Sequence, residues 1–268
     1  MSLPEIPESE AAGRVAEIYR ALLAATGLPS TNLVWRHMAS RPGVLEWAFD
    51  ALESAFSAGA FRTLGAGIAA AMPPAAMLPL TRDEGLDRAT LEDVASVMAF
   101  YNRANPVNLV ALCALRRVLA GETSGSGIPA ASAPGDPLPA LPPVAREADS
   151  ETRTRMASLA RTINDSDSAL MPTALRHLAN WPPTLAALER RVEALAASGA
   201  LDAGAAAILA KADEAARRIP LASPRSGAPG TETRDALEAT IDLFIRPISR
   251  MIVVGRGFES VIRAALEP

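Results

Sequence analysis

The stretch RHMASRPGVLEWAFDALESAFSAGA, residues 36–60, recurs 140 positions later without a gap as RHLANWPPTLAALERRVEALAASGA, residues 176–200. Arg, His, Ala, Pro, Leu, Glu, Gly and Ala return at the same relative places, Met38 is matched by Leu178, and Leu52 by Val192. The chain holds 2 histidines, His37 and His177, and they stand at equivalent positions. Similarity within a chain at one fixed spacing marks a duplicated structural unit. The flanks agree more weakly. Arg14–Ile18 resembles Arg155–Leu159, and Val94–Arg103 resembles Leu237–Arg246 at an offset of 143.

Between the copies lies ETSGSGIPAASAPGDPLPALPPV, residues 122–144. It is rich in Pro, Gly and Ser and cannot carry a continuous helix. The expected organisation is a first repeat at 1–121, a mobile, partly extended linker at 122–144 and a second repeat at 145–268. Met72–Glu84 and Pro220–Thr233 interrupt the two copies at corresponding places.

Composition indicates what each unit is made of. Ala, Leu and Arg dominate, and these side chains lose little rotamer freedom in a helix. No segment alternates apolar and polar residues for long, so no sheet is expected. Helices are predicted over about 11–26, from near Thr31 to Pro42, over 45–58 and over 61–71. Another opens after Thr90 with Thr-Leu-Glu-Asp, which is close to a capping box. It continues through Val94, Met98 and Tyr101, kinks at Pro106, and resumes over 107–119. The second copy repeats the plan from about Ser150, with Leu237, Ile241 and Phe244 as a late apolar stripe. The fold class is therefore all-α: two tandem pseudo-repeats packed about a pseudo-twofold axis, with a cleft between them.

Several function classes drop out. The formal net charge is −4 and no basic–aromatic patch stands out, which argues against nucleic acid. Lys211 is the sole lysine among 26 basic residues. The N-terminus MSLPEIPESEAAG is acidic and lacks the apolar core of a signal peptide. The longest apolar region, Gly65–Leu80, is cut by Pro73, Pro74 and Pro79 and is too short to span a bilayer. No membrane partner is expected, and the expected location is the cytoplasm. Cys113 is the sole cysteine. A lone thiol supports neither an internal disulfide nor a Cys-based zinc site, and it is read as buried and structural. It also excludes a helical peroxidase of the alkylhydroperoxidase type, whose chemistry cycles a Cys-x-x-Cys pair. His37 and His177 are read as buried hydrogen-bonding residues, since scaffold groups persist in both copies of a duplication while catalytic groups seldom do. No metal site is expected.

Three blocks carry a resemblance: Thr-Asn-Leu-Val-Trp-Arg-His-Met at 31–38, Tyr-Asn-Arg-Ala-Asn-Pro-Val-Asn-Leu at 101–109 and Leu-Arg-His-Leu-Ala-Asn-Trp-Pro at 175–182. In order, spacing and tandem duplication they resemble the DehI-type 2-haloacid dehalogenases. The resemblance covers most of the chain, is specific in the Asn-Leu-x-Trp-Arg-His block and is loose in the connectors. It implies an all-α fold and hydrolysis of short-chain 2-haloalkanoic acids to 2-hydroxy acids. No cofactor or metal takes part. An aspartate from the second copy activates a water that attacks the α-carbon directly, and an asparagine of the first copy's long helix helps hold that water. The implied partner is a small halogenated carboxylic acid, with a homodimer as the further expected partner.

The resemblance implies Trp35 and Met38 as part of the substrate wall. Asn105, with Asn108 three residues on and sharing its face, is the asparagine candidate. Asn32, Tyr101, Ser168 and Leu170 complete the expected substrate contacts. The ungapped alignment puts the family aspartate near Leu170, in Ala169-Leu170-Met171-Pro172. The nearest acids are Asp167 and Asp165, and a small shift of the helix start brings Asp167 into the cleft as the base. A relative that has lost the base and binds small carboxylates is the alternative.

Overall fold

The computed structural model describes residues 3–127, 138, 140–145, 147–221, 224–225 and 227–267. Of the expected linker, residues 128–137 and 139 lie outside the described residues. The described residues form ten α-helices and two short 3-10 turns, with no strand. The helices are α1 (Gly13–Thr26), α2 (Leu33–Ala39), α3 (Val44–Ser57), α4 (Ala60–Ala71) and α5 (Arg88–Leu119), then α6 (Ser150–Asn164), α7 (Thr173–Leu178), α8 (Pro182–Ala197), α9 (Ala200–Arg217) and α10 (Thr231–Leu266). In both sets the second helix is short, at 7 and 6 residues, and the fifth very long, at 32 and 36.

The repeated sequence explains the repeated geometry. Gly59 and Gly199 both sit in the left-handed region, at φ 68° and 73°, and turn α3 into α4 and α8 into α9. Left-handed backbone costs a residue with a Cβ roughly 1–2 kcal/mol, and glycine avoids that cost. Gly65 lets α4 approach α5 so closely that a Cβ would lie 2.9 Å from the Val107 nitrogen. Gly204 does the same for α9 against α10, where a Cβ would meet Val253 at 3.0 Å.

The long helices α5 and α10 pack on each other in the centre, and the shorter helices wrap them. Residues 105–115 of α5 and 247–255 of α10 are buried on every face. Such helices belong to the middle of a core. The halves also cross over: α5 packs on α7 and α9, and α10 packs on α2 and α3.

Two helix readings need correction. The cap of α5 is Asp87, whose side chain accepts from the Thr90 N–H at 2.8 Å, so the helix begins before Thr90. Pro106 lies inside a helix that continues from Arg88 to Leu119, so residues 107–119 are not a separate helix. An interior proline costs about 3 kcal/mol, and the apolar burial of eleven consecutive residues around it (105–115) outweighs that. The start of the linker is held in place. Thr123 O accepts from Leu221 N–H and Gly127 N–H donates to Arg218 O, both at 3.0 Å. Cys113 is buried, and burial followed by the nearby Asp213 pushes its thiol well above the usual range, so it stays an unreactive core residue.

No single described helix is long and apolar enough to cross a membrane; the α8–α9 pair passes by length and composition only and is bent by 82°.

Candidate active site

A cavity of about 60 Å³ lies between α5 and α10, bordered by residues of both. A water molecule needs about 10–15 Å³ of such space, so the cavity suits a molecule of a few heavy atoms. One wall belongs to α5: Tyr101, Asn105 and Asn108, spaced four and three apart, share one helical face. The opposite wall belongs to α10: Phe244, Pro247, Ile248 and Met251. The start of α2 (Asn32, Leu33, Val34) and the approach to α7 (Leu170, Pro172, Thr173, Ala174) close the ends. At the 143-residue offset Tyr101 corresponds to Phe244, Asn105 to Ile248 and Asn108 to Met251. Equivalent positions face each other across the cavity, polar on one side and apolar on the other.

The polar wall is oriented. Trp35 lies behind it and donates its indole N–H to Asn108 Oδ1 at 2.8 Å. Indole nitrogen can only donate, so the Asn108 carbonyl is fixed toward Trp35 and its NH₂ is left to donate into the cavity. Asn105 is 8% exposed and lines the cavity. Thr173 Oγ1 is buried and unpartnered. Buried polar groups are normally satisfied, so an unpartnered hydroxyl on a lining residue, beside two asparagines, suits the cavity to a polar guest. Tyr101 holds a 2.7 Å hydrogen bond between its hydroxyl and His177 Nδ1. Burial pushes the His177 pKa down to about 4, and Arg176 and Arg36 add to this against the Thr173 and Pro142 carbonyls. The ring is therefore neutral near pH 7. Burial raises the Tyr101 hydroxyl above its ordinary range, with Arg36 and Arg176 opposing.

The matching ring pair in the other half is His37 with Phe244. Both pairs have centroids 5.8 Å apart, at interplanar angles of 42° and 47°. His37 instead meets the Pro4 carbonyl through Nδ1 at 2.7 Å. The packing thus recurs with a phenylalanine, and the Tyr101 hydroxyl is an addition on the cavity side.

Of the expected site residues, Asn32, Tyr101, Asn105, Asn108 and Leu170 line the cavity. Trp35 and Met38 were expected in its wall. Trp35 stands one layer behind, edge-on to Phe56 with ring centroids 5.7 Å apart, and Met38 is fully buried in the core away from the lining. Ser168 is half-buried, accepts from Asn164 Nδ2 at 3.2 Å and stays outside. Asp167, expected as the base, also lies outside: its side chain is 92% exposed and pairs with Arg161 at 3.2 Å. Asp165 caps α6 in the left-handed region at φ 51° and pairs with Arg246 and Arg250. The physical reason is that Leu170, not the Asn-Asp-Ser-Asp run, is drawn inward. Leu170 is 3% exposed, and its carbonyl accepts from buried Asn164 at 2.7 Å. No acidic residue lines the cavity among the described residues. Thr173 and the α10 wall were not anticipated. Extending the 143-residue offset past Tyr101 would have found that wall, because it carries Asn105 and Asn108 onto Ile248 and Met251.

Beside the cavity, on the far side of Tyr101, lies a vestibule of about 550 Å³ whose charged and titratable lining is Glu5, Glu8, Arg36, Arg176 and His177. Asn32, Leu33, Tyr101 and Thr173 border both spaces.

No family model matches the sequence, and a search of curated proteins finds no match. Solved structures do match. "The crystal structure of D-2-halacid dehalogenase mutant" aligns at a TM-score of 0.80 and 20% identity, covering 97% of this chain and 96% of the other. "The complex structure of D-2-haloacid dehalogenase mutant with D-2-CPA" aligns at 0.79 and 20%, and "The complex structure of D-2-haloacid dehalogenase with L-LA" at 0.78 and 19%, both with the same coverage. Over nearly its full length, the chain has the fold of the D-2-haloacid dehalogenase structures.

Proposed function

We propose that the cavity binds a short-chain 2-substituted carboxylic acid, and that the chain does so without the aspartate-activated water that the sequence resemblance implies. The observation that carries this reading is the composition of the wall: Asn105, Asn108 and Thr173 offer neutral polar groups, α10 offers an apolar face, and no carboxylate is present. Neutral donors suit the carboxylate of such an acid, and the apolar face suits its alkyl and halogen substituents. The fold shared with proteins solved with D-2-CPA and L-LA supports the ligand class. A general base must lie within hydrogen-bond reach of the water it activates, and Asp167 on the surface is not so placed.

A second reading keeps hydrolysis and is favoured by the 2.7 Å Tyr101–His177 contact. There the attacking water would give its proton to Tyr101 oxygen while the Tyr101 proton passes to His177 Nδ1. The water oxygen bonds the α-carbon and the halogen leaves as halide. The depressed basicity of His177 makes this the weaker of the two.

Calorimetric titration with both enantiomers of 2-chloropropionate, beside a halide-release assay, tests both. Saturable binding without halide release is expected. Sustained turnover would establish the hydrolytic reading, and absence of binding to either enantiomer would sink the first.

A further inference from the structure

The segments leading into the two Arg-His blocks are pinned alike. Ile6 N–H donates to Arg36 O at 3.0 Å, and Ala145 N–H donates to Arg176 O at 3.2 Å. The residue just before each donor differs: it is Glu5 in the first case and Val144 in the second. Duplication has therefore left two guanidinium groups and one carboxylate. Glu5 serves both, Oε2 taking Arg36 Nε at 2.7 Å and Oε1 standing 3.5 Å from Arg176 Nη1. Neither arginine has another acidic partner among the described residues. Arg36 also donates to Thr31 O at 2.7 Å, which fixes its plane.

Glu8 also borders the vestibule, but its carboxylate takes the Thr31 N–H and makes no ion pair with either arginine, so Glu5 alone bridges the two. The cavity lining itself carries no cation. An anion moving inward exchanges water for amide and hydroxyl dipoles, and the two arginines are the charges it passes. Their influence reaches inward, since both act on Tyr101 and His177. Glu5 sits on an extended segment outside any helix, and its carboxylate is the same chemical group as that of the ligand class inferred for the cavity. Exchanging one carboxylate for another leaves the charge count at the arginines unchanged.

We propose that Arg36 and Arg176 form a second carboxylate-binding site at the mouth, which Glu5 fills at rest and which a short-chain carboxylic acid takes over on its way to the cavity. The ligand class rests on the reading of the cavity given above; the arginine pair and its resident carboxylate do not. Clamps of this kind are geometrically specific, because a guanidinium presents its donors in a fixed fork. Positive potential at a cleft mouth raises the rate at which anions arrive.

The test is an NMR titration that follows the arginine Nε–H signals of wild type and Glu5→Gln with acetate, and the Asn105 and Asn108 amide signals with 2-chloropropionate. Glu5→Gln empties the clamp of charge, so the Arg36 and Arg176 signals are expected to saturate at about tenfold lower acetate than in wild type, a difference of about 1.4 kcal/mol. Arginine signals that ignore acetate, or respond identically in both proteins, would overturn the proposal. Arginine signals that move while Asn105 and Asn108 stay still would uphold the mouth site and remove the cavity reading instead. Should Glu5→Gln fail to fold by circular dichroism, Arg176→Gln serves, since that side chain is 37% exposed and its loss leaves the Arg36–Glu5 pair. It is expected to slow 2-chloropropionate association about tenfold and to flatten its salt dependence. Unchanged association would overturn the site.

Discussion

Trp35 shows how a side chain can matter without touching the ligand. Its single donor decides which end of the Asn108 amide faces the cavity. Trp35→Phe keeps most of the ring packing against Phe56 and removes that donor. The buried Asn108 oxygen is then unsatisfied, which costs about 1–3 kcal/mol, and the amide is free to turn over. The expected result is a melting temperature lowered accordingly, together with roughly tenfold weaker 2-chloropropionate binding by calorimetry, the scale of one oriented hydrogen bond. Loss of stability with unchanged affinity would show that Asn108 needs no orienting. His177 gives a pH prediction. Its folded pKa is about 4, below the ordinary 6.5, because burial and then Arg176 and Arg36 disfavour the imidazolium. The unfolded chain binds the proton more readily, so stability is fully present above about 6.5 and falls as pH drops toward 4. His37 is lowered as well, chiefly by burial, and acts in the same direction. Thermal melts between pH 7.5 and 4.5 should show this slope, and His177→Asn, which keeps a hydrogen-bonding group near the Nδ1 position without titrating, should flatten it.

Helix pairs carry the next layer of argument. The close approaches at Gly65 and Gly204 join α4 to α5 and α9 to α10, but their neighbours differ. A methyl at 65 would meet Val107 backbone at 2.9 Å, whereas at 204 it would meet a Val253 methyl at 3.0 Å. Backbone inside a fully buried helix cannot yield, while a side chain can shift slightly. Gly65→Ala is therefore expected to destabilise by about 2–3 kcal/mol, and Gly204→Ala by distinctly less, measured by urea unfolding; equal costs would show that both helix pairs relax alike. The segment between α4 and α5 depends on a different device. Arg191 of α8 is buried and binds Glu84 together with the Leu78 and Pro79 carbonyls. Burial by itself would raise the Glu84 carboxyl, but hydrogen bonds from Arg191, the Thr81 N–H and Arg190 win and lower its pKa to about 2. A carboxylate held below its unfolded value stabilises above pH about 4.5, and that contribution is lost as pH falls toward 2. Glu84→Gln should lose this acid-limb dependence, and Arg191→Met, which leaves Glu84 to Arg190 and the Thr81 N–H and frees the Leu78 and Pro79 carbonyls, should cost about 3 kcal/mol.

Which parts of this architecture the residues announced follows from what each residue answers to. The Arg-His block, the paired glycines and the apolar spacing of Leu237, Ile241 and Phe244 report local backbone and burial, and these made the all-α layout readable. The cavity was readable on one side only. Tyr101, Asn105 and Asn108 were found because they are polar and helically spaced, whereas Ile248 and Met251 look like any core residues until α5 and α10 are seen to cross. Asp167 misled for the complementary reason. An acid close in sequence to the expected place attracts notice, but which of Asp167 and Leu170 turns inward is decided by Asn164 reaching the Leu170 carbonyl, a contact that sequence spacing does not reveal. The same contact gives the sharpest test of whether this cavity can support hydrolysis. Because the backbone at 170 is fixed and its side chain lines the cavity, Leu170→Asp puts a carboxylate in the wall that now lacks one, near Asn105 and Asn108. Burial makes that change costly, by a few kcal/mol, and pushes the new carboxyl's pKa upward. Halide release from 2-chloropropionate is therefore expected only in the variant, rising with pH as the carboxyl ionises, and removed again by adding Asn105→Leu. A folded Leu170→Asp variant that binds the acid yet releases no halide at any pH would mean that the absence of a carboxylate is not what separates this cavity from a hydrolytic one.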